Sequence, residues 1–213
     1  MHRSRILIAD DHNLVAELCQ KLLENEFEVV GTVCDGRALV QAAIELKPDV
    51  IVVDIAMPVL NGLDAARQVR EMFPAVKLIF LTMNNDPAVA AEAFRRGASG
   101  YLLKTCASSE MVTAVRNVLR GIPYLSPTLS KDTVDFLRRQ RDTLEEKEER
   151  LTERQREVLQ LLAEGKAMKE IGDILKMTAR TVAFHKYRIM EVLDAKSNAD
   201  LVKYAVRNHM VAA

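Results

Sequence analysis

The chain contains 213 residues, of which 49% are hydrophobic and 28% charged, and its formal net charge is zero. This length suits one large domain or two small ones, and the composition is that of an ordinary globular protein. No stretch approaches the roughly 20 uninterrupted apolar residues of a membrane span, and no signal-peptide core follows the N-terminus. We therefore expect a cytoplasmic protein without a membrane segment.

The cysteines and histidines do not suggest a zinc site. Cys19, Cys34 and Cys106 are odd in number, widely separated and not spaced as in a zinc knuckle. This pattern indicates reduced, mostly packed thiols. The four histidines form no cluster in the sequence either.

The zero net charge conceals a difference between the two ends of the chain. Residues 1–122 carry 13 basic and 15 acidic side chains, whereas residues 151–213 carry 11 basic and 8 acidic ones. The contrast is too small to establish nucleic-acid binding by itself. It has the sign expected for an acidic site near the N-terminus and a DNA contact near the C-terminus.

The first 120 residues alternate between strand-like and helical patterns. Between short apolar runs lie stretches with helical spacing, such as Leu14, Leu18 and Leu22. Nearly continuous apolar runs are typical of parallel strands covered on both faces. Residues 1–122 are therefore predicted to form a doubly wound α/β domain around a five-stranded parallel sheet. The predicted strands are residues 5–9, 28–33, 49–53, 77–81 and 100–103.

The remainder of the chain has a different character. Residues 123–150 begin at a Gly- and Pro-containing break and become highly charged, which favours a helical, solvated linker over a strong coiled coil. Residues 151–213 have helical patterns with short connections, at about 153–165, 167–176, 179–193 and 197–209. This arrangement predicts a small all-α helix-turn-helix domain.

Five polar side chains fall at the ends of predicted strands. In a parallel sheet the carboxyl ends of the strands share one edge, where the active crevice lies. Three carboxylates suit Mg²⁺ or Mn²⁺ better than soft metals, and a lysine beside them can neutralise a phosphoryl group. The pattern predicts phosphoryl transfer to a carboxylate. The five residues are Asp10, Asp11, Asp54, Thr82 and Lys104.

The segments around these residues carry a family resemblance. They read IADDH at 8–12, VDIAMPVLNG at 53–62, LT at 81–82 and GYLLK at 100–104. Residues 4–122 resemble the receiver domain of two-component response regulators.

The resemblance assigns a role to each residue of the crevice. It makes Asp54 the phosphoacceptor, and it makes Asp11, Asp54 and the backbone carbonyl of Ala56 metal ligands, with Asp10 acting largely through metal-bound water. Lys104 would hold the phosphoryl group and Thr82 would turn toward it. Tyr101 resembles the switch aromatic, whose rotamer follows Thr82.

Phosphorylation at Asp54 would act locally at first. It adds about −1.5 to −2 charge and strong acceptor oxygens. Thr82 and Lys104 are the nearest donors, so we expect the loops that carry them to reorganise. The expected output surface is the last helix–strand–helix face, residues 84–120.

The C-terminal segment resembles the LuxR-type output domain of the NarL/FixJ class. The resemblance rests on LTERQREVL at 151–159, LAEGK at 162–166, KEI at 169–171 and TVAFH at 181–185, with Ile189 and Leu193. Val182, Ile189 and Leu193 would form an apolar stripe that packs on the scaffold helices. Lys176 stands where relatives usually have a turn glycine, so either the backbone is strained there or the turn differs slightly.

The other face of the recognition helix is predicted to enter the DNA major groove. By resemblance, Ala183, Phe184 and Tyr187 approach base edges, where relatives commonly show a polar residue first. This departure weakens hydrogen-bonded readout and leaves thymine-methyl contacts and DNA shape as contributors. An alternative is that Phe184 and Tyr187 are partly buried. The candidate phosphate contacts are Lys169, Arg180, Thr181, Lys186 and Arg188.

These features predict a transcriptional regulator whose DNA binding depends on phosphorylation. The expected partners are a sensor histidine kinase, double-stranded DNA and a second copy of the chain in a homodimer. We expect no enzyme activity beyond the receiver's own Mg²⁺-dependent phosphorylation and dephosphorylation. A haloacid-dehalogenase-type phosphatase is disfavoured because Ala56 occupies the place of its second acid. A receiver that acts as a non-phosphorylated interaction module is a further alternative.

Overall fold

The computed structural model describes residues 3–129 and 151–211. Within these residues, six parallel strands form one sheet in the order β2-β1-β3-β4-β5-β6. The parallel α/β prediction is confirmed, and the sheet has one strand more than the five expected. The strands are β1 (Arg5–Ala9), β2 (Glu28–Val33), β3 (Val50–Asp54), β4 (Lys77–Thr82), β5 (Gly100–Leu103) and β6 (Tyr124–Leu125).

Helices cover both faces of this sheet. They are α1 (Asn13–Leu23), α2 (Gly36–Leu46), α3 (Gly62–Met72), α4 (Pro87–Arg95) and α5 (Ala107–Leu119). Successive residues of a strand point to opposite faces, so Leu7 belongs to the hydrophobic cluster that includes residues of α2, α3 and α4, whereas Ile6 belongs to the cluster that includes residues of α1 and α5. The sheet lies buried between these two clusters.

The strand order places a crevice at one edge of the sheet. The order reverses direction between β1 and β3, and ligands of doubly wound sheets bind outside the carboxyl ends of the strands at such a point. Asp54 ends β3, and Gly62 begins α3 directly against it. A Cβ at Gly62 would lie 1.8 Å from the carbonyl oxygen of Asp54, so only glycine permits this close approach.

The sixth strand changes the predicted boundary between the sheet domain and the linker. The backbone N–H of Tyr124 donates to Ser99 O, and that of Ser126 donates to Tyr101 O, both at 3.0 Å. Leu129 then buries its side chain in the cluster that contains Tyr101. Residues 123–129, predicted as the start of the linker, thus extend the sheet and its core. The rest of the predicted linker lies outside the described residues.

The C-terminal unit has its own hydrophobic core, built from four helices as predicted. Val182 and Ile189 are fully buried and Leu193 packs against the same cluster, so the predicted apolar stripe is confirmed. Of the two alternatives for the turn at Lys176, the structure supports the first: Lys176 ends the second helix in the left-handed region, with φ of 57°, which is uncommon for a residue other than glycine. The helices are α6 (Glu153–Ala163), α7 (Met168–Leu175), α8 (Ala179–Leu193) and α9 (Asn198–Arg207).

The cysteines are free thiols, and their burial differs: Cys19 is packed in the core as expected, Cys106 is half-buried, and Cys34 is exposed, contrary to the expectation of mostly packed thiols. Burial raises the pKa of the Cys19 thiol to about 12. Across residues 3–129 and 151–211, none of the helices has the length and apolar character needed to cross a membrane.

Replacing Leu129 tests whether the folded sheet domain extends to this residue. Leu129 is 6% exposed, whereas Ile122 is 53% exposed. We expect Leu129→Ala to lower the free energy of unfolding of the sheet domain by about 2 kcal/mol or more, because it removes buried methyl groups and leaves a cavity. Ile122→Ala should change it by less than about 0.5 kcal/mol. Calorimetric unfolding of the full chain measures both, and equal effects would contradict the packing of Leu129.

Candidate functional site

The structure brings the predicted carboxylates together at the carboxyl edge of the sheet. Asp10 directly follows β1 and Asp54 ends β3, and both are buried, whereas Asp11 is exposed. One potential ligand atom from each of Asp10, Asp11, His12 and Asp54 lies within 4.8 Å of the others. His12 was not among the predicted residues. Its Nδ1 lies 2.8 Å from Asp11 Oδ1, at the start of α1.

Lys104 links the two buried carboxylates. Its Nζ donates to Asp54 Oδ2 at 2.8 Å and to Asp10 Oδ1 at 3.0 Å. Burial alone would lower the pKa of Lys104, but the hydrogen bonds and charges of Asp54 and Asp10 outweigh this effect and raise it. The lysine therefore stays charged, as its predicted role in holding a phosphoryl group requires.

The residues of this cluster fit a divalent cation with oxygen ligands. Burial raises the pKa of Asp54, and Lys104 compensates only in part. Asp10 Oδ2 is buried and makes no hydrogen bond, although it lies 2.9 Å from Lys104 Nζ. Three carboxylates facing one ammonium group leave the cluster short of positive charge, which a hard divalent cation supplies. Ala56 follows two residues after Asp54, and its N–H donates weakly to Asp54 Oδ1 at 3.4 Å.

Thr82 and Tyr101 meet at one residue of the β4–α4 loop. Tyr101 is completely buried, and its hydroxyl donates to the carbonyl oxygen of Asn84 at 2.7 Å. The N–H of Asn84 in turn donates to Thr82 Oγ1 at 3.1 Å. Hydrogen bonds to Asn84 therefore link Thr82 with Tyr101, and the sequence did not single out Asn84.

The recognition helix α8 presents its predicted DNA-facing side to solvent. Phe184 is 61% exposed and Tyr187 is 68% exposed, which excludes the alternative that they are buried. Ala183 and Lys186 are half-buried on the same helix, and Arg188 is exposed.

The predicted phosphate contacts differ in their freedom to reach DNA. Lys169 on α7 and Arg180 at the start of α8 are exposed. Thr181 pairs with Thr178 through their hydroxyl oxygens, 2.9 Å apart. Arg188 donates to Glu191 at 2.6 Å, so this ion pair must loosen before Arg188 binds a phosphate.

A set of contacts between the two units was not predicted from the sequence. One side of α6 and the turn after it, hereafter the docking stripe, lies against the loop of residues 55–61, hereafter the phosphoacceptor loop, and against α2 and α3. Polar residues at helical spacing in a sequence are more often solvent-exposed, so the pattern gave no signal. The docking stripe consists of Glu153, Arg156, Glu157, Gln160 and Glu164.

The receiver surface that is contacted differs from the expected output face. Among the described residues, the docking stripe binds Arg37, the phosphoacceptor loop and α3. Within residues 84–120, Arg96 is linked to the docking stripe indirectly. Its Nη1 lies 2.5 Å from Asp64 Oδ1, and Arg156 of the docking stripe binds the same carboxylate. Among the described residues, the contacts between the two units are therefore centred on the loop after Asp54 and on α3.

Each of the two units matches a known protein family. Residues 6–116 match the response regulator receiver domain, and residues 149–205 match the bacterial regulatory proteins of the luxR family. The chain belongs to the response regulator family. It combines a receiver with a LuxR-type helix-turn-helix, and is a DNA-binding response regulator.

Similar proteins have the same organisation. The oxygen regulatory protein NreC of Staphylococcus carnosus is 34% identical over 97% of this chain and 99% of its own length. The RcsB response regulator of Salmonella typhimurium has a TM-score of 0.60 at 27% identity, covering 96% of this chain and 97% of that one. A structure of two RcsB dimers bound to two parallel DNAs has a TM-score of 0.57 at 28% identity, covering 95% and 98%.

Titration with Mg²⁺ tests the cation site. A ligand that binds only the folded state stabilises it by about 2.7 kcal/mol when its free concentration is 100 times its Kd. We expect MgCl₂ to raise the thermal unfolding midpoint of the parent protein, and Asp11→Asn to abolish this rise because it removes an exposed ligand. The control Asp173→Asn changes an exposed carboxylate on α7 and should respond as the parent does. An undiminished response in Asp11→Asn would exclude Asp11 as a ligand.

Proposed function

We propose that this response regulator accepts a phosphoryl group on Asp54 from a sensor histidine kinase and thereby changes its dimerisation and DNA binding. The observation that carries the proposal is the position of Lys104, which binds Asp54 and Asp10 together at the edge of the sheet. In the same chain, a helix with exposed basic and aromatic residues is available for DNA. Because the chromosome is the target, we place this activity in the cytoplasm.

In the proposed reaction, an oxygen of the Asp54 carboxylate attacks phosphorus, and the bond from phosphorus to the kinase histidine nitrogen breaks. Asp10, Asp11, Asp54 and the Ala56 carbonyl would hold Mg²⁺ or Mn²⁺. When bound, the cation would supply positive charge against the transferring group and the Asp54 carboxylate. Lys104 turns from the carboxylates to the new phosphoryl oxygens, and Thr82 donates its hydroxyl to them.

The chemistry that we assign to the chain is limited to its own phosphorylation and dephosphorylation. A phosphatase that forms a phosphoaspartate needs a second acid to protonate its leaving group, and Ala56 offers none at the neighbouring position. We therefore propose a regulator and not an enzyme that acts on an external substrate.

For the output, we propose a homodimer that binds two half-sites of double-stranded DNA. The DNA-bound RcsB dimers support this assembly by similarity. Lys169, Arg180, Lys186 and Arg188 would contact phosphates, which fix orientation without reading the sequence. Phe184 and Tyr187 would contact thymine methyl groups, because their exposed rings offer little hydrogen bonding to base edges.

Incubation with acetyl phosphate and Mg²⁺ tests the phosphoacceptor. We expect intact-mass spectrometry to show one added phosphoryl group on the parent protein and none on Asp54→Ala, because the attacking carboxylate is lost. Asp173→Ala, which removes an exposed carboxylate of α7, should be modified like the parent. Modification of Asp54→Ala to the same extent would refute the assignment of Asp54, whereas no modification of the parent protein would favour the interaction-module alternative.

Electrophoretic mobility shifts with a random-sequence duplex test the DNA contacts. Lys186→Ala should weaken binding uniformly and reduce the slope of log affinity against log salt by about 1, because one phosphate contact is lost. Arg188→Ala should have a smaller effect, since Glu191 already neutralises this arginine. The control is Arg116→Ala, which pairs with Glu26 on the receiver. If Lys186→Ala and the control give the same slope, Lys186 makes no phosphate contact.

A further inference from the structure

His12 lies beside the carboxylate cluster at the edge of the sheet, and its own backbone holds it there. The N–H of His12 donates to Asp10 Oδ1 at 2.9 Å. The imidazole Nδ1 lies 2.8 Å from Asp11 Oδ1 and 3.3 Å from Asp10 Oδ1. A ring nitrogen is thus placed next to oxygen atoms of two residues to which the proposed function assigns the cation.

The fold makes little use of this imidazole. His12 is the N-cap residue of α1, but its side chain accepts no hydrogen bond from the N–H groups of the first turn. Ser, Thr, Asp and Asn are the residue types that serve this capping role best. The His12 side chain is also 65% exposed, so it adds little to the hydrophobic core. Neither helix capping nor packing therefore accounts for an imidazole at this position.

The distances around His12 suit ligands that share one cation. An octahedral cation with ligand bonds of about 2.1 Å places neighbouring ligand atoms about 3.0 Å apart. The distances from His12 Nδ1 to the carboxylate oxygens of Asp11 and Asp10, 2.8 and 3.3 Å, lie on either side of this value. One ligand atom from each of these residues and from Asp54 lies within 4.8 Å of the others. Small movements of the side chains would gather all four around one ion.

The buried side of the cluster is a separate indication of a bound cation. Asp10 is 2% exposed, and its Oδ2 makes no hydrogen bond, although Lys104 Nζ lies 2.9 Å away. A buried carboxylate oxygen without a hydrogen bond is costly unless a cation or its bound water satisfies it. A neutral imidazole can bind that cation without adding negative charge to the carboxylates around it.

We propose that His12 is a nitrogen ligand of the cation at this cluster, and that it makes the site select a first-row transition cation such as Mn²⁺ over Mg²⁺. This inference rests on the cation site of the proposed function. Mg²⁺ takes oxygen ligands and gives up its water reluctantly, whereas imidazole nitrogen binds transition cations well. His12 thus determines which divalent cation serves Asp54 best.

The first test compares the affinities of the full chain for Mn²⁺ and for Mg²⁺, measured by titration calorimetry in one buffer at one pH. His12→Asn keeps a favourable N-cap residue and offers an oxygen in place of the ring nitrogen. We expect it to weaken Mn²⁺ binding at least about tenfold, the lower end of the loss that even the outer partners of metal ligands cause. Its affinity for Mg²⁺ should change far less.

His209→Asn is the matched control, because it removes an imidazole from the C-terminal unit. His209 has a φ of 55°, a left-handed conformation that asparagine adopts readily. This variant should bind both cations as the parent protein does. An equal loss of Mn²⁺ affinity in His209→Asn would show that Mn²⁺ binds to histidines at large and would overturn the inference.

A second readout detects the proposed bond directly in the parent protein. Electron spin echo envelope modulation of bound Mn²⁺ should show coupling to a nitrogen nucleus. The coupling should persist in His209→Asn and be lost in His12→Asn, whose amide would bind through oxygen. This measurement does not depend on how well a variant folds, because the parent alone must show the nitrogen.

The outcomes distinguish the two proposals. If the parent protein binds neither cation, the cation site of the proposed function fails. If the parent binds both cations but Mn²⁺ shows no nitrogen coupling, His12 only pairs with Asp11 and the inference alone is overturned. The inference is also overturned if His12→Asn weakens Mn²⁺ and Mg²⁺ binding by the same factor, because the residue then confers no selectivity.

Discussion

The interaction on which the rest of the structure depends is the contact of Lys104 with two buried carboxylates. Asp10 and Asp54 come from neighbouring strands, and without a cation their charges would repel each other in a site with little water. Lys104 relieves that repulsion from the end of a third strand. The arrangement is stable enough to fold but remains short of positive charge. That deficit of positive charge is consistent with the divalent cation that we propose for this site.

The loop after Asp54 joins this site to the rest of the molecule. Gly62 lets α3 begin directly against the Asp54 carbonyl, so the loop between them is short and mostly buried. One end of the loop holds the proposed cation ligand Ala56, and three of its backbone groups bind Gln160 and Glu164 at the end of α6. The loop after Asp54 therefore contacts both the carboxylate cluster and the DNA-binding unit. The hydrogen bonds that join Thr82, Asn84 and Tyr101 lie within the receiver.

The sequence predicted the crevice well because strand ends in a parallel sheet share an edge. Asp10, Asp54 and Lys104 could be grouped from that rule alone, and a family resemblance supplied their roles. The sixth strand was not predicted because Tyr124–Leu125 is too short to show a periodicity and is defined by its pairing with β5. The contacts of Gln160 and Arg156 with the receiver were not predicted for a related reason. A polar residue on a helix is typical of a solvated face, and its burial depends on a partner far away in the chain.

The exposed aromatic rings of α8 make the DNA-facing side of this helix more apolar than a purely basic surface. Phe184 and Tyr187 are solvent-exposed beside basic residues, where an aromatic ring contributes little to the stability of the fold. Phe184 packs edge-on against His185. Removing the apolar surface of such rings from water is favourable wherever the DNA offers thymine methyl groups or sugar edges to pack against. Phosphate contacts carry no sequence information. With the base contacts that we propose, discrimination between DNA sites would come from where these two rings fit and from how readily the DNA deforms to meet them.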